Sequence, residues 1–225
     1  MNIGVNHINI ITKDSLLYNG SALLYSVTAY FSGIIGLFSQ DILINIISIF
    51  VLAHGMIIAA YLVHECAHNL IFKKMLHNTY LGRILTWLCG ASYGTYEDIR
   101  YKHFRHHVDN DDVVWFDYED FFRKHPLILK ITQILEWFYF PIHEIIMHII
   151  MAFTSFFIDE RRDQRKRNIF VLLVRASLFI SIAFYFPVVA LYYLVAYVIT
   201  VSYTHLRAHE TRGNLVCRRV LEKKR

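Results

Sequence analysis

Uncharged apolar runs punctuate this chain, and their lengths decide its class. Residues 15–40 carry no Asp, Glu, Lys or Arg. Their apolar part, Ala22–Phe38, covers roughly 26 Å as a helix, near the lower limit for crossing a bilayer. Ser39, Gln40 and Asp41 interrupt, and Ile42–Val63 is a second uncharged run of about 33 Å. Together the two runs predict a transmembrane hairpin. Ile169–Thr200 is again apolar, with Arg175 near its start, where the side chain can snorkel. As one straight helix it would measure about 48 Å, too long for a hydrocarbon core of roughly 30 Å. Pro187 divides it into a third span over 169–186 and the beginning of a fourth over 187–200 that reads as unfinished. Between these hairpins, Tyr80–Tyr93 and Pro126–Phe157 are apolar but interrupted, the second by Lys130, Glu136, Pro141, His143, Glu144 and His148. Such spacing suits helices lying on the membrane surface or against the spans. The pattern predicts an all-α integral membrane protein: transmembrane helical hairpins with a helical region between them.

Basic residues orient it. The Ser39–Asp41 turn has none, whereas Lys73, Lys74, Arg83, Arg100, Lys102 and Arg105 follow the second span, and Arg161, Arg162, Arg165, Lys166 and Arg167 precede the third. The positive-inside rule places residues 64–168 on the cytoplasmic side. Trp87, Trp115 and Trp137 suit interfacial anchoring. The first twenty residues lack the basic start and apolar run of a cleavable signal.

Composition agrees: 56% of the 225 residues are hydrophobic and mean hydropathy is +0.37. The formal charge of +5 arises outside the apolar body, since residues 201–225 hold seven Lys/Arg and two Asp/Glu while residues 1–200 balance at 16 each. A pI of 9.0 therefore gives no reason to expect a nucleic-acid partner. Cys66, Cys89 and Cys217 make no disulfide framework and suit a reducing compartment.

The tail stands apart. Residues 201–211, from Val201 to Thr211, resemble one frame of a transposon adapter used in sequencing libraries, and Leu215–Arg218 resemble the primer that follows it. The expectation is a native part over residues 1–200 and a non-native segment over 201–225, so His205 and His209 are set aside despite their spacing.

Two histidine clusters carry the chemistry. His64-Glu65-Cys66-Ala67-His68 lies where the second span ends. On a helix, positions i and i+4 differ by about 40° around the axis and 6 Å along it, so both rings can reach one metal. His103-Phe104-Arg105-His106-His107 repeats spacings of three and four and gathers three more rings on one face. Asp98, Asp109, Asp111 and Asp112 flank this cluster and could orient ligand rings, or form a solvated acidic loop. His54, inside the second span, suits a hydrogen-bonded packing role better than a ligand's. His7, His77, His125, His143 and His148 are left out, the last two being about 140° apart around a helix.

These clusters resemble the boxes of the membrane fatty acid desaturase family. His64 and His68 match its first box, H-x3-H; His103, His106 and His107 match its second, H-x2-H-H. The spans and the spacing between boxes fit over roughly residues 20–200. The family's third box, H/Q-x2-H-H, has no counterpart before the adapter-like tail, so the chain is expected to be an inactive fragment of an active parent. The resemblance implies two non-haem irons held by His64, His68, His103, His106 and His107, with dioxygen as co-substrate. It also implies a fatty acyl lipid or thioester substrate, an electron donor of ferredoxin or cytochrome type, and a place in the bacterial inner membrane with the boxes facing the cytoplasm.

Three other readings compete. An alkane or carotenoid hydroxylase or ketolase would share the boxes. His64-Glu65-Cys66-Ala67-His68 also satisfies the H-E-x-x-H pattern of zinc proteases, with Glu65 as general base, but zinc needs one further protein ligand and the second cluster offers three. The third is an inactive scaffold.

Overall fold

The computed structural model describes residues 13–90, 95–109, 115, 117–138 and 140–203. All regular structure among them is helical. Helix α1 covers Lys13–Leu37, α2 Ile42–Ala67, α3 Met75–Leu88, α4 Tyr96–Asp109 and α5 Tyr118–Lys124. Helices α6 and α7 cover Pro126–Trp137 and Ile142–Phe157. A 3-10 turn over Asp159–Gln164 leads into α8, Arg165–Tyr185, and α9 covers Pro187–Tyr203.

Three helical stretches are long and apolar enough to cross a membrane: Leu17–Leu37, Ile42–Ala67 and Asp159–Tyr185. The hairpin α1–α2 forms as its sequence predicts. Asp41 caps α2, its Oδ1 accepting from Leu43 N at 2.8 Å, and satisfies one of the orphan amides of the first turn. Buried Asn45 does the converse for α1. Its Nδ2 donates to the carbonyls of Gly36, Leu37 and Ser39, each at 3.1 Å.

The two helices approach through small residues, as bilayer-embedded helices do when lipid gives no hydrophobic drive to association. A Cβ on Gly55 would come within 2.9 Å of Tyr30 N, and Ser26 Oγ donates to Gly55 O at 2.9 Å. Helix α9 closes the bundle: Ala196 is buried with Leu37, Leu52, Ala53 and Met56, and Thr200 Oγ1 donates to Ala53 O at 3.3 Å. Outward-facing Leu24, Phe31, Ile35, Ile47 and Phe50 stay exposed, as do Leu173, Leu178, Ile180 and Phe184 on α8. Water would tolerate so much apolar surface poorly; lipid tails are its natural solvent.

Helix α8 begins at Arg165, before the apolar run that starts at residue 169. The break at Pro187 is where the sequence puts it, with Phe186 ending α8. Helix α9 continues past Val201 to Tyr203, and residues 204–225 lie outside the described residues, His205, His209 and Cys217 among them.

Two side chains make contacts that their sequence positions do not foretell. Arg175 donates to Trp87 O at 3.0 Å and Gly90 O at 3.4 Å, so its charge meets the carbonyl end of α3, a favourable place for a cation. Trp115 is held by other side chains. Its ring stacks on Tyr101 with centroids 6.1 Å apart, and Lys102 and Arg161 sit over it at 4.8 and 5.7 Å.

Candidate metal centre

The last turn of α2 carries the first cluster, and the way that helix stops fixes His68. His68 is its C-cap. Asn69 follows with φ 57°, the left-handed conformation that Asn tolerates better than most residues. Asn69 N donates to Cys66 O and Leu70 N to Glu65 O, both at 3.0 Å, the paired bonds of a Schellman end. Asn19 Nδ2 on α1 donates to Leu70 O at 3.2 Å and ties down the exit. Fully buried Asn78 then holds the connection to α3, donating to Phe72 O at 2.6 Å and Lys74 O at 3.1 Å and accepting from Phe72 N at 3.0 Å.

Helix α4 brings the second cluster. Thr95 and Asp98 form a reciprocal cap: Asp98 N donates to Thr95 Oγ1 at 2.9 Å, and Thr95 N to Asp98 Oδ2 at 3.3 Å. Tyr96, 1% exposed, packs with Cys66 and Leu85 in the core joining α2, α3 and α4. Glu97 accepts from Arg83 Nε at 2.8 Å and Nη2 at 2.5 Å, bridging α3 to α4.

The result is a set of three imidazoles from two helices. The nearest ring nitrogens of His64, His68 and His103 all lie within 4.8 Å of one another. Ring centroids are separated by 4.7 Å (His64–His68), 4.5 Å (His64–His103) and 4.9 Å (His68–His103). His68 Nε2 and His103 Nε2 stand 2.8 Å apart. Two cis ligands at roughly 2.1 Å from one metal would be about 3 Å apart, so this pair is already near a chelating separation. Phe104 sets its ring edge-on to His68 at 5.4 Å. An all-nitrogen set of imidazoles suits a first-row transition ion such as iron or zinc, and the residues present fit one.

Other expected residues fall differently. The side chains of His106, His107 and Asp109, and the whole of Asp111 and Asp112, lie outside the described residues. Asp98 turns to protein partners: Gln164 Nε2 donates to Oδ1 at 2.7 Å and Arg161 Nη2 to Oδ2 at 3.4 Å. His54 takes the packing role, its Nδ1 2.6 Å from Tyr25 Oη with the rings edge to face. Glu65 pairs at 3.5 Å with His64 Nδ1. Sequence reasoning missed Arg161, which is fully buried although it reads as one of five surface basic residues; nothing local in the sequence marks it.

A separate apolar cavity of about 330 Å³ lies among α7, α8 and α9, lined by Ile145, Ile149, Phe153, Leu172 and Tyr197, with His148 and Arg175 also at its wall.

A family model described as fatty acid desaturase matches residues 42–216. The chain belongs to the fatty acid desaturase family. Its matched part contains both histidine clusters, begins at α2 and so omits α1, and runs beyond residue 200 into the segment that resembles an adapter. No curated protein and no solved structure matches the chain. Membership in a desaturase family identifies an oxidoreductase scaffold in a membrane setting, and it leaves the metalloprotease reading of His64-Glu65-Cys66-Ala67-His68 without support.

Proposed function

We propose that the chain carries the first two histidine boxes of a membrane fatty acid desaturase, with His64, His68, His103, His106 and His107 as ligands of two non-haem irons. The observation that supports this most directly is the convergence of His64, His68 and His103 from α2 and α4 in a chain of this family. Bound there, iron would supply the dioxygen chemistry that removes two hydrogens from an unactivated acyl chain.

The protein's part is placement. The Schellman end fixes His68, the Thr95–Asp98 cap fixes the start of α4, and Phe104 limits rotation of the His68 ring. An acyl lipid or thioester would enter from the bilayer, to which the exposed apolar faces of α1, α2 and α8 give access; the cavity among α7, α8 and α9 has the size and chemistry to take part of such a chain. Electrons would come from a ferredoxin- or cytochrome-type protein. The basic residues Lys73, Lys74, Arg83 and Lys102 favour a cytoplasmic position for the boxes, in a bacterial inner membrane.

Metal analysis of the purified chain tests the site: iron is expected, and it should fall on His68→Ala or His103→Ala. Lipid analysis of cells expressing the protein tests the reaction. A new double bond supports desaturation; a hydroxyl or keto group in its place would assign the hydroxylase alternative.

A further inference from the structure

Helix α4 has a placement problem. It is polar along most of its length, with Tyr96, Ile99, Tyr101, Phe104 and Val108 as its apolar side chains, yet it must hold the His103 ring against two others on α2. Metal sites tolerate errors of only about 0.5 Å. Apolar packing at Tyr96 fixes one side of its first turn. The other side is held by a charged group.

Arg161 is 0% exposed. Its Nη2 donates to Asp98 Oδ2 at 3.4 Å and Gln164 Oε1 at 3.2 Å; its Nη1 donates to Met151 O at 3.4 Å and to Thr154 Oγ1. Gln164 completes the frame by donating to Asp98 Oδ1 at 2.7 Å. Both oxygens of Asp98 are thus engaged from one 3-10 turn, which leads directly into α8.

Burying a guanidinium is expensive, and a buried ion pair is often no more stabilising than apolar side chains of the same volume. What a planar fork provides is direction, because its donors leave at fixed angles. We propose that Arg161, acting through Asp98, is a positioning residue for the metal centre: it sets the first turn of α4 and so the place of His103 relative to His64 and His68. Five residues of rigid helix, about 7.5 Å, carry the setting from Asp98 to His103. This inference rests on the metal-site reading above.

Cobalt(II) titration of the purified chain in detergent tests it, read by visible absorption and by affinity. Arg161→Met and Asp98→Asn are each expected to weaken cobalt binding roughly ten- to a hundredfold and to alter the spectrum. The double variant should be no weaker than the worse single, because both changes break one link. Arg161→Lys keeps the charge and covers failure of Arg161→Met to fold; its ammonium cannot span Asp98 and Gln164, so it too should bind more weakly than the unmodified chain. Leu52→Ala, in the α1–α2–α9 core, should lower Tm and leave cobalt affinity unchanged. Unmodified affinity in any folded Arg161 variant, multiplying effects in the double, or equal weakening by Leu52→Ala would overturn the positioning role. An unmodified chain that takes up no cobalt would overturn the metal-site reading, and this role with it.

Discussion

The ring of Tyr96 lies against Gly82, so closely that a Cβ on residue 82 would stand 2.5 Å from Tyr96 Cδ2. This contact seats the first residue of α4 on α3. Seven residues later, two helical turns along and on nearly the same face, is His103. Gly82→Ala is therefore expected to destabilise by about 1–3 kcal/mol through overpacking, lowering Tm in detergent. Adding Tyr96→Leu should recover part of the loss. A Gly82→Ala chain with unchanged Tm would show that the ring moves aside freely.

Tyr96 offers a second expectation. Its hydroxyl is buried without a hydrogen-bond partner among the described residues, and burial pushes the phenol up to about 12 from an ordinary 10.0. A raised folded value favours the protonated form, so its contribution is whole below pH 10 and is lost as pH climbs from there through about 12. Tyr96→Phe should match or slightly exceed the parent in Tm at neutral pH and fall less steeply in alkali. The test is Tm as a function of pH for the two proteins; parallel curves would contradict it.

The histidines should divide cleanly into two classes. His68→Ala and His103→Ala are expected to lose bound metal. His54→Ala should keep it, losing only the Tyr25 hydrogen bond, worth about 1 kcal/mol. Metal content and Tm measured on the same preparations separate the classes. Metal loss in His54→Ala would redraw the site.

Asn45 ties off three carbonyls at the end of α1 with one amide nitrogen. Asn45→Ala leaves them to a region short of water and should cost about 1–3 kcal/mol. Asn45→Asp should lower Tm at least as much, because it sets an unpaired carboxylate against the same carbonyl oxygens away from water. An unchanged Tm in Asn45→Ala would show that the bonds contribute little.

Much of this was legible because its causes are local. Uncharged length marks α1, α2 and α8; Asp41 and Pro187 mark where the chain turns; His64 and His68 meet because a helix repeats as it does. Even the cap Thr95-Tyr96-Glu97-Asp98 is a short pattern. Arg161 could not be read that way. Its partner Asp98 is 63 residues distant, and five basic residues beside a span look alike until the fold buries one of them. The contacts of Trp115 were hidden for the same reason, since Arg161 over its ring is 46 residues away in sequence. Joining His103 to the first cluster needed the path of α4, which the turn Asp159–Gln164 helps to set.

Helix α2 runs without interruption from the capped turn at Asp41 to the histidines at its far end. It behaves as a calibrated shaft. Inserting one residue anywhere along its middle would swing both imidazoles by about 100° and advance them by about 1.5 Å, carrying them away from His103 while every side chain at the site stayed the same. The register of this apolar helix is thus part of what brings the three imidazoles together, and mutational tolerance along α2 should be far greater for exchanges than for gains or losses of a single position.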